Sequence, residues 1–120
     1  MFDHKEEKTA GLTEVRTDLE SEKKNIAENL RDWSDNLDRQ IKEIDEQLHK
    51  KEFELETKRS LRALQTRLRK EKNKVDRSLK EIEKSSLKTW ENVEQRSREI
   101  LTEARIEAQK IEERVEDLVD

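Results

Sequence analysis

Leucine, isoleucine and valine recur along this chain every three or four residues, and Glu, Lys, Arg, Asp and Gln fill the positions between them. That spacing is the signature of an amphipathic helix, with one apolar stripe per helix and a charged remainder. On the N-terminal side the stripe runs through Leu19, Ile26, Leu30, Trp33, Leu37, Ile41, Ile44, Leu48 and Leu55. On the C-terminal side it runs through Leu61, Leu64, Leu68, Val75, Leu79, Ile82, Trp90, Val93, Ile100, Ala104, Ala108, Ile111, Val115 and Leu118. Between Leu55 and Leu61 the phase is lost, because the positions where the first stripe should continue are Lys58, Arg59 and Arg62. The chain is therefore expected either to turn there or to run through as a locally overwound helix.

The first arm repeats steps of three, four and four, as in Leu30, Trp33, Leu37 and Ile41. Such a repeat averages about 3.67 residues per turn and predicts nearly straight helices. Folding the chain between residues 61 and 62 sets Leu48 against Val75, Ile44 against Leu79, Ile41 against Ile82, and Trp33 against Trp90. The expected fold is thus all-α, a long antiparallel coiled-coil hairpin with arms at 12–57 and 61–120 behind a flexible leader at 1–11. A single continuous helix in a dimeric coiled coil and a three-helix bundle are the alternatives. Ser85-Ser86 is a weak spot in the second arm, where serines can cap a new helix. A lone hairpin buries little, so self-association is expected. Two hairpins would make a four-helix bundle, with Leu87, Leu101 and Ile106 widening the buried face.

Composition changes the picture in two ways. At 29% hydrophobic and 48% charged, with no proline and one glycine, the chain has neither the apolar content of a globular core nor the vocabulary of strands and turns. Charge is also sorted along the sequence: net −6 over 1–48, +7 over 49–80 and −5 over 81–120. The middle is basic and both ends are acidic. Without an apolar run of about 18 residues or a signal-like segment, a cytoplasmic location is expected.

Candidate chemistry is sparse. There is no cysteine, no glycine-rich phosphate loop and no nucleophile elbow, so no catalytic residue, cofactor or metal site is expected. His4 and His49 read as solvated side chains. Trp33, Trp90, Leu30 and Leu87 are candidate interface anchors, because large apolar side chains dominate contacts between proteins. Arg62, Arg67, Arg69, Lys70, Lys72, Lys74 and Arg77 form a candidate anion-binding set, interrupted by Glu71 and Asp76 and without aromatics for base stacking. The reading is a non-enzymatic structural or adaptor protein with an unknown protein partner, acting as a homo-oligomer. The alternative is binding of nucleic acid or an acidic membrane through 49–80. The apolar stripe is too narrow and too charged on its flanks to lie in a lipid interface.

At Leu30-Arg31-Asp32-Trp33 and at Ser85-Ser86-Leu87-Lys88-Thr89-Trp90-Glu91-Asn92-Val93 the chain resembles small bacterial coiled-coil proteins of uncharacterised function, which pair an early tryptophan with a late small-residue and tryptophan motif. The glycine usual in the late motif is absent. Trp90-Glu91-Asn92-Val93 through Arg98 and Leu101 is similar to the last helix of a spectrin repeat, which implies a three-helix bundle. Ile100-Leu101-Thr102-Glu103-Ala104-Arg105-Ile106-Glu107-Ala108 resembles the peripheral-stalk b subunit of rotary ATP synthases. All three resemblances imply scaffolding rather than catalysis.

Overall fold

The computed structural model describes the backbone of residues 2–120 and the side chains of residues 19–120. The leader expected at 1–11 lies outside the residues whose side chains are described. The chain forms three helices, α1 (Phe2–Lys50), α2 (Leu55–Lys84) and α3 (Trp90–Val119), and the fold is all-α. Each helix packs against the other two.

The phase break is a turn, but it falls at residues 51–54, earlier than the 58–60 expected between the two arms. Helix α1 ends with Lys50, a cation that suits the negative end of its dipole. Glu54 is extended and its carbonyl accepts from Lys58 N–H at 3.0 Å, starting α2. Phe53 packs against the core and pins the turn. Leu55, which the spacing places on the stripe, is the first residue of α2 and is 62% exposed. Its solvent position explains why the stripe fails between Leu55 and Leu61.

The expected second arm is not continuous. Ser85 leaves helical geometry with its hydroxyl on the Ile82 carbonyl at 2.7 Å, so α2 stops there. Ser86 then closes the turn onto Thr89: its N–H donates to Thr89 Oγ1 at 2.9 Å, and its carbonyl accepts from Thr89 N–H at 3.1 Å and from Trp90 N–H at 2.9 Å. Ser85 thereby caps the end of α2 and Thr89 holds the turn closed without glycine, and no residue needs a positive φ. The two-armed hairpin and the continuous rod both give way to three helices.

Cross-helix bonds set the register. Gln65 Nε2 donates to the Ile41 carbonyl at 2.9 Å, and Ser34 Oγ donates to Asp76 Oδ1 at 2.7 Å, so α1 and α2 are antiparallel. Ser78 Oγ donates to Ser97 Oγ at 2.9 Å and Lys74 Nζ to Glu103 at 2.7 Å, so α2 and α3 are antiparallel too. Gln40 Nε2 reaches the Ala108 carbonyl at 3.3 Å and Trp90 Nε1 reaches Glu22 Oε2 at 3.2 Å, which makes α3 run parallel to α1. In this register Ile26, Ile82 and Val93 lie at one level of the core, Leu37, Glu71 and Ala104 at another, and Ile44, Leu64 and Ile111 at a third. Ser97, Ala104 and Ala108, all buried, are small enough to let α3 sit close to its neighbours. The expected Trp33–Trp90 pair is absent. Trp90 packs at the level of Glu22, eleven positions from Trp33, or about 16 Å along the helix.

Candidate interaction surfaces

Of the expected anchors, two are turned into the bundle. Leu30 is fully buried, and Trp90 is 5% exposed. Trp90 closes one end of the bundle: its indole N–H donates to Glu22, and Lys23 lies with Nζ 5.6 Å from the ring centroid while donating to the Ser85 carbonyl at 2.7 Å. One lysine thus caps the end of α2 and stacks on the first residue of α3, tying three helices at a single point. Trp33 packs against the core with part of its ring in water. Leu87 stands 57% exposed in the turn between α2 and α3, and Ile106 is 48% exposed on α3, while Leu101 packs against the core.

The bundle interior holds polar contacts that sequence reading did not single out. Ser78 and Ser97 meet in the core, Gln65 is buried between Ile41 and Asp45, and Glu71 is buried with Oε2 unpartnered. Burial pushes the Glu71 carboxyl above its ordinary value, and the neighbouring Glu103, which shares a hydrogen bond with it, pushes the same way. Lys74, at 2.7 Å, holds Glu103 below the ordinary range. Burial would raise Asp76, but hydrogen bonds from Ser34 and Lys72, with the charges of Lys72 and Lys80, hold it low. The only sequence signal for these contacts is a serine or glutamine where the stripe has no apolar residue.

The seven basic candidates divide into two groups. Arg67 pairs with Glu107 at 2.6 Å, Lys74 with Glu103 at 2.7 Å and Lys72 with Asp76 at 3.0 Å. These three are spent on the flanks of α2, where it meets α3 and α1. Arg62, Arg69, Lys70 and Arg77 are exposed and join no ion pair among the described residues.

Open grooves lie between and along the helices. The one between α1 and α3, near their C-terminal ends, has a volume of about 250 Å³ and carries Glu43, Glu46, Glu112 and Glu116. Its walls include Gln40 and Gln47, whose carbonyl oxygens are buried without a donor. No protein-family model, curated protein or solved structure matches the chain. Among the described residues no cluster of three or more His, Asp or Glu is arranged to hold a metal, and no helix is long and apolar enough to cross a membrane.

Proposed function

We propose that the protein is a non-enzymatic helical adaptor that acts by presenting rigid surfaces to other proteins and to further copies of itself. The observation that carries this reading is where its polar side chains go. The buried serines and the polar side chains beside them are engaged in cross-helix contacts: Ser78 with Ser97, Ser34 with Asp76, Gln65 with Ile41 and Asp45, Lys74 with Glu103, Arg67 with Glu107. Pairs of this kind define a register and hold a shape; a rigid shape is what an adaptor needs. Self-association is supported by Leu87 and Ile106, large apolar side chains left on the surface after the core is complete.

Sedimentation equilibrium over a wide protein concentration range tests the assembly claim. The expected result is a concentration-dependent mass of twice the chain or more that Leu87→Ser with Ile106→Ser returns to monomer. A strict monomer at the highest concentration, with no change in the double variant, would refute it.

A further inference from the structure

The outward face of α2 is chemically unlike the rest of the surface. Going along it by steps of three and four, the exposed positions are Arg59, Arg62, Thr66, Arg69, Lys70, Asn73, Arg77, Lys80 and Lys84. At about 100° per residue these lie within one arc of the helix, and they span about 38 Å. No acid falls among them. Three acids of α2 sit on its flanks and turn toward its neighbours: Glu83 pairs with Arg31 of α1, Glu81 with Arg96 of α3, and Asp76 takes Ser34, while Glu56 stands exposed in the first turn, off the arc. None of the seven ridge cations joins an ion pair among the described residues, whereas Arg67, Lys72 and Lys74 beside them are neutralised. The two most exposed large apolar side chains of the described residues bracket this ridge: Leu55 opens α2 on the same arc, and Leu87 stands in the turn just past its end.

We propose that this face of α2 is a docking surface for an anionic phospholipid membrane, lying flat with its cations on lipid phosphates and Leu55 and Leu87 entering the interface at either end. The apolar stripe is inside the bundle and takes no part; the face that meets the lipid is the opposite one.

Three features favour a planar lipid surface over other anions. The ridge is straight, so a plane meets its ends and its middle together. A duplex major groove about 12 Å wide admits one helix, but α2 is flanked by α1 and α3 in a bundle 17–18 Å across. The terminal leucines have a partner in lipid and none along a phosphate backbone. The net charge of −4 does not oppose this docking. At physiological salt the screening length is about 8 Å, so the acidic far side of the bundle lies about two screening lengths from a surface touching α2. The ridge cations take no part in the proposed self-association, and Leu87 is the one residue the two readings share, so the Arg69→Gln with Lys70→Gln variant separates them.

Co-sedimentation of the full chain with phosphatidylglycerol vesicles, against phosphatidylcholine vesicles, is the test. Expected are binding to the anionic vesicles alone and its loss as salt rises from about 0.05 M to about 0.5 M. Arg69→Gln with Lys70→Gln should weaken binding about 30-fold, from about 1 kcal/mol for each cation at an anionic surface. Lys110→Gln with Arg114→Gln, the same charge change on exposed positions of α3, should leave it unaltered, and Leu55→Ser with Leu87→Ser should weaken it several-fold. Circular dichroism of each variant confirms that the fold is kept. Absence of binding to anionic vesicles at low salt overturns the proposal. So does an equal loss in the α3 control, or tighter binding to duplex DNA than to vesicles at matched salt, which would assign the ridge to nucleic acid.

Discussion

Trp90 offers the sharpest test of the three-helix arrangement, because its neighbours differ between folds. It is nearly buried, so Trp90→Ala removes a large packed side chain at a cost of about 3–5 kcal/mol. Against a domain stability of about 5–15 kcal/mol, that leaves the variant close to unfolding. Trp90→Phe is more informative, since it keeps most of the buried area and the ring beneath Lys23 but loses the 3.2 Å bond from the indole N–H to Glu22. Glu22 is exposed, so the lost bond is discounted for solvent and costs about 1 kcal/mol, roughly 4–8 °C in Tm for a domain of this size. Thermal melts of Glu22→Ala, Trp90→Phe and the double variant give the coupling between the two sites, expected at about 0.5–1 kcal/mol. Strictly additive effects would refute the parallel packing of α1 and α3. In the two-armed hairpin Trp90 faces Trp33, and Glu22 lies too far along the helix to be felt.

The buried serine pair makes a second prediction: Ser97→Ala strands the Ser78 hydroxyl and costs about 1–3 kcal/mol in urea unfolding, whereas Ser78→Ala with Ser97→Ala together is nearly neutral. Glu71 predicts a pH-dependent gain. Its folded form binds a proton more tightly than the ordinary carboxyl value of 4.5, so its contribution is full below that pH and is lost as pH rises through its folded value. Glu71→Gln should accordingly be the more stable protein at pH 7, with the gap closing toward pH 4; a gap that widens on acidification would contradict the upward shift that burial imposes on Glu71. Asp76 and Glu103 have the opposite sign. Their stabilisation is present above their ordinary values of 3.8 and 4.5 and is lost as pH falls through their depressed ones, so the acid unfolding limb should shift when Lys72 or Lys74 is replaced by Met.

Helix content and nearly the whole core were legible from spacing alone, because a stripe of Leu, Ile and Val at three and four steps has only one way to be buried in a helix. The turns were harder to read, for a reason visible in each. Lys51-Glu52-Phe53-Glu54 contains no glycine or proline, and its one marker, a phenylalanine between charges, is not a turn residue by propensity; it holds the turn through the core contact it makes. Ser85-Ser86 was visible as a weak spot, but whether two serines soften a helix or end it depends on Thr89 and on Lys23 arriving from α1, sixty-two residues away. Reversal symmetry also misled: a regular stripe pairs with itself about any midpoint, so matched leucines and even two matched tryptophans could not choose between one fold-back and two.

The basic segment shows the same limit for function, with a physical cause that can be stated. Counting charge over 49–80 treats Arg67, Lys72 and Lys74 as equal to Arg62, Arg69, Lys70 and Arg77, yet Arg67 and Lys74 meet acids of α3, Lys72 pairs with Asp76 of its own helix, and the other four have no such partner among the described residues. A second turn is what makes the distinction. In a two-helix hairpin only one flank of α2 has a partner; with α3 folded back, both flanks are covered, and Glu81 and Glu83 are drawn sideways into pairs with Arg96 and Arg31. What remains outward is acid-free because the bundle has used the acids, so the charge pattern of the surface is a consequence of the third helix. If Ser86→Leu with Thr89→Leu straightens the turn and merges α2 with α3, Glu81 loses its α3 partner and the sorting weakens. The same change that lengthens the molecule in small-angle scattering should then blunt the ridge as an anion-binding face, and a lengthened molecule with undiminished affinity for anionic vesicles would show that sequence-local charge, not the bundle, makes the surface.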